Sequence, residues 1–139
     1  MYTIRKKFKM ELAHQLIGAY TKECCNLHGH SYICEVYFKS DVLDKTGMVV
    51  DFTKVKDTIK AYMDTWDHAL IMSKDMPQEY LETLKKFNKN LKIVDYNPTA
   101  ENMAKDIYNF IRIRMSADAR CTKVRLHETD TGYAEYSGE

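Results

Sequence analysis

The stretch Cys24 to His30 reads CCNLHGH and gathers two thiols and two imidazoles into seven residues, the densest cluster of metal-ligating and nucleophilic groups in the chain. His28 and His30 are two apart, so on extended backbone they point to one side about 7 Å apart, and both can reach one ion. A third imidazole, His14, closes the apolar face of an alternating run that begins at Tyr2. If that run pairs as a hairpin with the one opened by His30, all three imidazoles meet at one sheet end. Three neutral nitrogen ligands leave a fourth position for water or substrate, which marks a catalytic zinc rather than a closed structural one. The ordinary alternative is a set of hydrogen-bonded core or surface histidines. A thiolate ligand from Cys24 or Cys25 would close the site.

Beside a cation, a thiol is drawn toward thiolate and becomes a better base or nucleophile. Cys24 and Cys25 both qualify, and spacing alone does not choose between them. Cys34 and Cys121 read as small buried hydrophobes. The run WDHAL sets Asp67 beside His68, either as an acid/base couple or as a helix end where an imidazole favours the dipole. Glu128 closes the Val124, Leu126, Glu128 face as His14 closes its own. A carboxylate there needs a partner: a Lys or Arg, or a ligand offering two adjacent N–H groups, such as the edge of a pterin or guanine. Thr99, Glu101 and Asn102 read first as helix-capping residues, as does Asp51.

These residues need elements to hold them. From Tyr2 to His14 the even positions carry Tyr, Ile, Lys, Phe, Met, Leu and His, a long strand with one buried face. His30 to Phe38 repeats the alternation less cleanly, because Ile33 and Tyr37 lie on its other face. Helical spacing appears at Val55, Ile59, Tyr62, Met63 and Trp66, again in MPQEYLETLKKF with Pro77 in its first turn, and at Met103, Ile107, Phe110, Ile111 and Met115. CTKVRLHE and GYAEY supply the last two strands, and Ser73 to Pro98 reads as a loop or short-helix excursion. This order predicts an α+β fold with a four-stranded antiparallel sheet backed by helices.

A chain of 139 residues, 45% hydrophobic, makes one core, so 1–139 is expected to be a single domain. With 21 basic against 20 acidic side chains, interspersed, the net charge is +1 and argues against nucleic acid as a direct partner. No apolar run is long enough for a signal peptide or membrane span, and four sparse cysteines suit reduced thiols. A soluble cytoplasmic protein is the expectation.

The ordered motifs FKMELAHQL, CCNLHGHSY, GMVVDF, DHAL, NPTAENMA and HETDTGYAEY resemble the group of 6-pyruvoyltetrahydropterin and 6-carboxytetrahydropterin synthases through nearly the whole chain. The resemblance implies the tunnelling fold (T-fold), in which antiparallel sheets backed by helices associate into barrels, here a homohexamer built as a dimer of trimers with active sites at subunit contacts. It implies Zn2+ on His14, His28 and His30, and it selects Cys24, by its C-x-x-x-H-G-H spacing, as the catalytic thiol. Asp67 and His68 match the catalytic pair and Glu128 the pterin anchor. Thr99 and Glu101, inside NPTAENMA, are candidate substrate contacts as well as caps. LHGHSY, NPTAEN and ETDTGYAEY look more like the carboxy branch, which turns 7,8-dihydroneopterin triphosphate into 6-carboxytetrahydropterin, acetaldehyde and triphosphate for 7-deazaguanine and queuosine-type tRNA modification. The pyruvoyl branch, which feeds tetrahydrobiopterin, and a noncatalytic pterin- or zinc-binding protein are the alternatives. Ser73 to Asp95 is long for a compact member of the carboxy branch.

Overall fold

A computed structural model describes residues 1–19 and 21–138, the side chain of Cys24 excepted. The long alternating run forms β1 (Tyr2–His14), and its partner β2 (His28–Ser40) lies antiparallel to it in unbroken register from Tyr2 opposite Ser40 to His14 opposite His28. Between them sits a single helical turn, α1 (Lys22–Cys25). β5 (Arg120–Thr129) pairs antiparallel with β2, with a register shift at Tyr37/Phe38, and turns through Asp130 and Thr131 into β6 (Gly132–Tyr136). Met10, Leu12, Tyr32, Cys34, Val36, Phe38, Val124 and Leu126 share the inner face of these strands and are buried.

Two helices cover that face. α2 (Phe52–Asp64) buries Val55, Ile59 and Met63, and Asp51 caps it by accepting the Thr53 N–H at 2.7 Å. α4 (Ala100–Arg114) buries Met103, Ile107 and Ile111, with Thr99 as its cap. Phe110 is only half-buried and stacks on Tyr62 at 3.6 Å between ring centroids. Cys34 and Cys121 are buried free thiols, and burial pushes the Cys121 thiol up to about 12.

The sheet departs from the expected four antiparallel strands. Six strands, among the described residues, run in the order β4-β3-β1-β2-β5-β6, and β3 (Ala69–Ser73) lies parallel to both β1 and β4 (Leu91–Val94). All five residues of β3 are buried, so no polar position marks a face and the run has no alternation to read. Its two faces serve different cores. Ala69 and Ile71 join the main one, whereas Leu70 and Met72 pack with Leu81 of α3 (Gln78–Phe87) against the opposite side of the sheet. Ser73 to Pro98 therefore holds the expected short helix, α3, and also an edge strand, β4, in place of a loop. Pro77 precedes the first residue of α3 instead of lying in its first turn. No helix among the described residues is long and apolar enough to cross a membrane.

The outer face of the antiparallel strands carries charge. Glu35, only 3% exposed, accepts hydrogen bonds from Arg5 Nη1 at 2.8 Å and from the His127 ring. Burial alone would raise its carboxyl, but the hydrogen bond and charge of His127, then Arg5 and Lys7, more than reverse this and hold it below the ordinary carboxylate range. A lowered folded value means that the ion pair stabilises fully above the unfolded carboxyl pKa and less as pH falls through the folded one. Glu35→Gln is expected to lower stability by about 1–2 kcal/mol near neutrality, since the partners are partly exposed. Urea unfolding across an acid series should show the gap between wild type and variant closing as pH drops.

Candidate metal centre

The β1–β2 register sets His14 directly opposite His28, and Leu12 opposite His30. Opposed residues share a face, so all three imidazoles project from the inner face at one sheet end. Their ligand atoms lie within 4.8 Å of one another, and His14 Nε2 is 3.1 Å from His28 Nε2.

The far side of each ring decides the tautomer. His14 Nδ1 lies 2.7 Å from the Pro98 carbonyl and His28 Nδ1 lies 2.6 Å from the Asn26 carbonyl. A carbonyl only accepts, so each Nδ1 carries the hydrogen and each neutral ring turns an Nε2 lone pair toward the centre. Burial first, then the neighbouring His28 and His30, lower the His14 pKa against the opposing Pro98 and Glu128 contributions, which favours the neutral, ligating form. Two lone pairs facing each other at that distance repel unless a cation lies between them. Zinc with bonds of about 2.0–2.1 Å to tetrahedral ligands separates the nitrogens by about 3.3 Å. The donor set therefore fits a divalent metal, with the backbone carbonyls as its outer support.

Asn97 explains why Pro98 is in place. Its side chain accepts the Ile17 N–H at 2.9 Å and donates to the Ile17 carbonyl at 3.0 Å, clamping the chain just beyond β1. Asn102 donates to the Asn97 carbonyl at 3.0 Å, and the Thr99 hydroxyl accepts the Asn102 N–H at 3.2 Å as the cap of α4. The NPTAEN motif is thus a brace between α4 and the metal end of β1. Thr99 serves as a cap in this arrangement, and Glu101 lies exposed in the first turn of the same helix.

Glu128 reaches the centre from β5. Its Oε1 lies 3.6 Å from His30 Nε2 and 3.7 Å from His14 Nε2, and it accepts a hydrogen bond from the Tyr32 hydroxyl at 3.1 Å. Burial, reinforced by the Glu128 charge, pushes the Tyr32 phenol far above its ordinary value, so it remains a donor. Sequence reasoning gave Tyr32 no role at the site. The available signal was a hydroxyl-bearing residue on an otherwise apolar face, two positions after His30.

Asp67 and His68 form their pair, with His68 Nδ1 3.1 Å from Asp67 Oδ2. The pair is anchored on Glu11: Asp67 Oδ1 accepts the Glu11 N–H at 2.8 Å, and the His68 N–H donates to the Glu11 carbonyl at 2.5 Å. That backbone N–H leads the causes that hold the Asp67 carboxyl below its usual range. His68 takes a left-handed φ of 57°, and its side chain is 79% exposed. No hydrogen bond or ion pair joins this pair to the three histidines among the described residues. His68 and His30 instead line one open depression together with Glu11, Gly29 and Ser31.

Cys24 lies in α1, and its side chain falls outside the described residues. The turn that carries it is tethered: Gln15 Nε2 donates to the Cys25 carbonyl at 2.9 Å, and Tyr80 of α3 donates to Gln15 Oε1 at 2.5 Å. Cys25 itself turns its thiol toward the Ala19 carbonyl at 3.5 Å.

Residues 3–139 match the family model described as 6-pyruvoyl tetrahydropterin synthase. The chain belongs to this family. Among curated relatives, the 6-carboxy-5,6,7,8-tetrahydropterin synthase of Aquifex aeolicus is 36% identical, with 99% of each chain covered. The enzyme of the same name from Haemophilus influenzae is 33% identical over 98% of this chain and 99% of its own. Of the solved structures, an uncharacterised protein of Wolinella succinogenes superimposes with a TM-score of 0.87 at 21% identity, covering 99% of this chain and 98% of its own. The 6-pyruvoyl tetrahydropterin synthase of Caenorhabditis elegans gives 0.73 at 24% identity, covering 99% and 96%. At those identities the structural likeness speaks for the fold.

Because the Pro98 carbonyl supports a metal ligand from outside, weakening its brace should reach the metal. Asn97→Ala is expected to lower metal affinity by about 10-fold without touching a ligand. Competition titration against a chromogenic chelator measures this; unchanged affinity would show that Pro98 is held independently of Asn97.

Proposed function

We propose that this protein is a zinc-dependent 6-carboxytetrahydropterin synthase, a lyase that converts 7,8-dihydroneopterin triphosphate to 6-carboxy-5,6,7,8-tetrahydropterin with release of acetaldehyde and triphosphate. The observation that carries the reading is the convergence of three imidazole ligand atoms at one sheet end, in a chain whose curated relatives at 30–36% identity bear that enzyme's name. A bound zinc would supply Lewis acidity toward the hydroxyls of the substrate side chain and make the adjacent C–H protons easier to remove.

The remaining steps belong to the chain's own groups. Glu128, with two acceptor oxygens, suits the adjacent N–H groups of a pterin edge. Cys24, in the connection that precedes His28, is the candidate thiolate for proton removal from carbon. Asp67, kept ionised by the Glu11 N–H, orients His68 as the partner that returns a proton to oxygen. Thr99 and Glu101 are candidate substrate contacts at the start of α4.

The proposed assembly is a homohexamer, a dimer of trimers, in the cytoplasm, with the product passing to 7-deazaguanine and queuosine-type tRNA modification. Two features support a site completed between subunits. His68 and His30 line a depression that is open to the outside with no direct bond between them, and β4 and β6 are the strands at the two sheet edges.

Mass spectrometry of products from the zinc-loaded protein and 7,8-dihydroneopterin triphosphate tests the assignment. A carboxypterin with acetaldehyde is expected; a pyruvoyl product would move the protein to the biopterin branch, and no product would favour a binding protein. Cys24→Ala should retain stoichiometric zinc while turnover falls by about 10²- to 10⁴-fold. Unchanged turnover would remove Cys24 from the mechanism.

A further inference from the structure

We propose that Glu128 is itself a ligand of the metal in the resting protein, filling the position that three histidines leave open and held there by the Tyr32 hydroxyl. The inference rests on the histidines holding a divalent metal, as proposed above, and is independent of the pterin chemistry.

Three observations carry it. The alternation of Val124, Leu126 and Glu128 directs the carboxylate onto the face that bears the histidines, at the point where the β5–β6 register shifts between His127 and Thr129. Its Oε1 stands 3.6 and 3.7 Å from two ligand nitrogens, within a few tenths of an ångström of the roughly 3.3 Å that separates tetrahedral ligands of one zinc ion. Its hydrogen-bond donor among the described residues is the Tyr32 hydroxyl, at 3.1 Å. Neutral imidazoles and one phenol are poor compensation for a half-buried anion, whereas a cation among the histidines compensates it directly. A ligating carboxylate that also accepts a hydrogen bond is the usual arrangement in metal sites.

The consequence is a closed resting centre. A carboxylate bonded to the metal blankets part of its positive charge and occupies the place a substrate hydroxyl needs. The same oxygens cannot at that moment receive two N–H groups of a pterin edge, so the two roles of Glu128 exclude each other in time. Tyr32 is then a positioning residue, setting the rest position of the carboxylate.

Cobalt substitution tests the proposal without any turnover. Wild type, Glu128→Gln and Tyr32→Phe are loaded with Co2+, and the visible ligand-field spectrum and Co2+ affinity of each are measured. Glu128→Gln is expected to bind one Co2+ with a changed spectrum and about 10-fold lower affinity, and Tyr32→Phe to fall between it and wild type. Lower affinity with an unchanged spectrum would overturn the proposal, because it reports a nearby charge and not a ligand. Superimposable spectra and affinities would overturn it as well. Failure of the wild type to bind Co2+ or Zn2+ would remove the metal reading and this inference together. Far-ultraviolet circular dichroism of the isosteric Gln variant separates any of these outcomes from misfolding.

Discussion

The meeting of the three histidines depends on the register between β1 and β2. Antiparallel pairing from Tyr2 opposite Ser40 to His14 opposite His28 is continuous over both strands, and it makes the last pair of the ladder two imidazoles. A slip of one residue would turn His14 to the opposite face and expose Met10 and Leu12 in the same motion. The candidate metal centre is thus tied to the burial of the main core. The apolar faces that make the strands pair also decide where the ligands stand, and no separate folding step is needed to bring the histidines together.

Much of this was legible in the sequence because it has a period. The alternation from Tyr2 to His14 and the two-residue spacing of His28 and His30 are signals of period two, and both gave the correct face. The helical stripes at Val55, Ile59 and Met63, and at Met103, Ile107 and Ile111, are signals of the helical period and fell where expected. What has no period was missed. β3 is buried on both sides and β4 spans four residues, so neither offers enough contrast to count, and the sheet read as four strands instead of six. The roles of Pro98 and Asn26 were invisible for a different reason: both act through backbone carbonyls, and a carbonyl leaves no mark on residue identity. The choice between Cys24 and Cys25 could not come from spacing, since adjacent residues in a short connection stand at almost the same remove from His28.

The stretch from Ser73 to Asp95 is woven into the site's support. α3 packs Leu81 on the outer side of β3, and from the same helix Tyr80 reaches Gln15, which holds the carbonyl of Cys25. The Cys24 turn is therefore fastened from one side by an element outside the four antiparallel strands. From the side of α4, Asn97 clamps Ile17, earlier in the same connection, and is itself held by Asn102. A short helix of four residues has little stability of its own. Its position therefore leans on the Gln15 hydrogen bond that Tyr80 of α3 supports.

The placement of Glu128 sharpens what a three-histidine centre asks of its surroundings. An open coordination position gives a metal its reactivity, but an exposed one at a wide depression would bind any passing anion. Tyr32, buried and kept protonated, keeps a carboxylate of the chain close to that position. Because Glu128 stands on β5, two strands from His14, its reach to the metal end is decided by the β2–β5 register and not by the hairpin that assembles the histidines. Ligands and carboxylate are thus delivered by separate strand pairings of one sheet. That separation would let the carboxylate shift toward a substrate while His14 and His28, held by the Pro98 and Asn26 carbonyls, stay where they are.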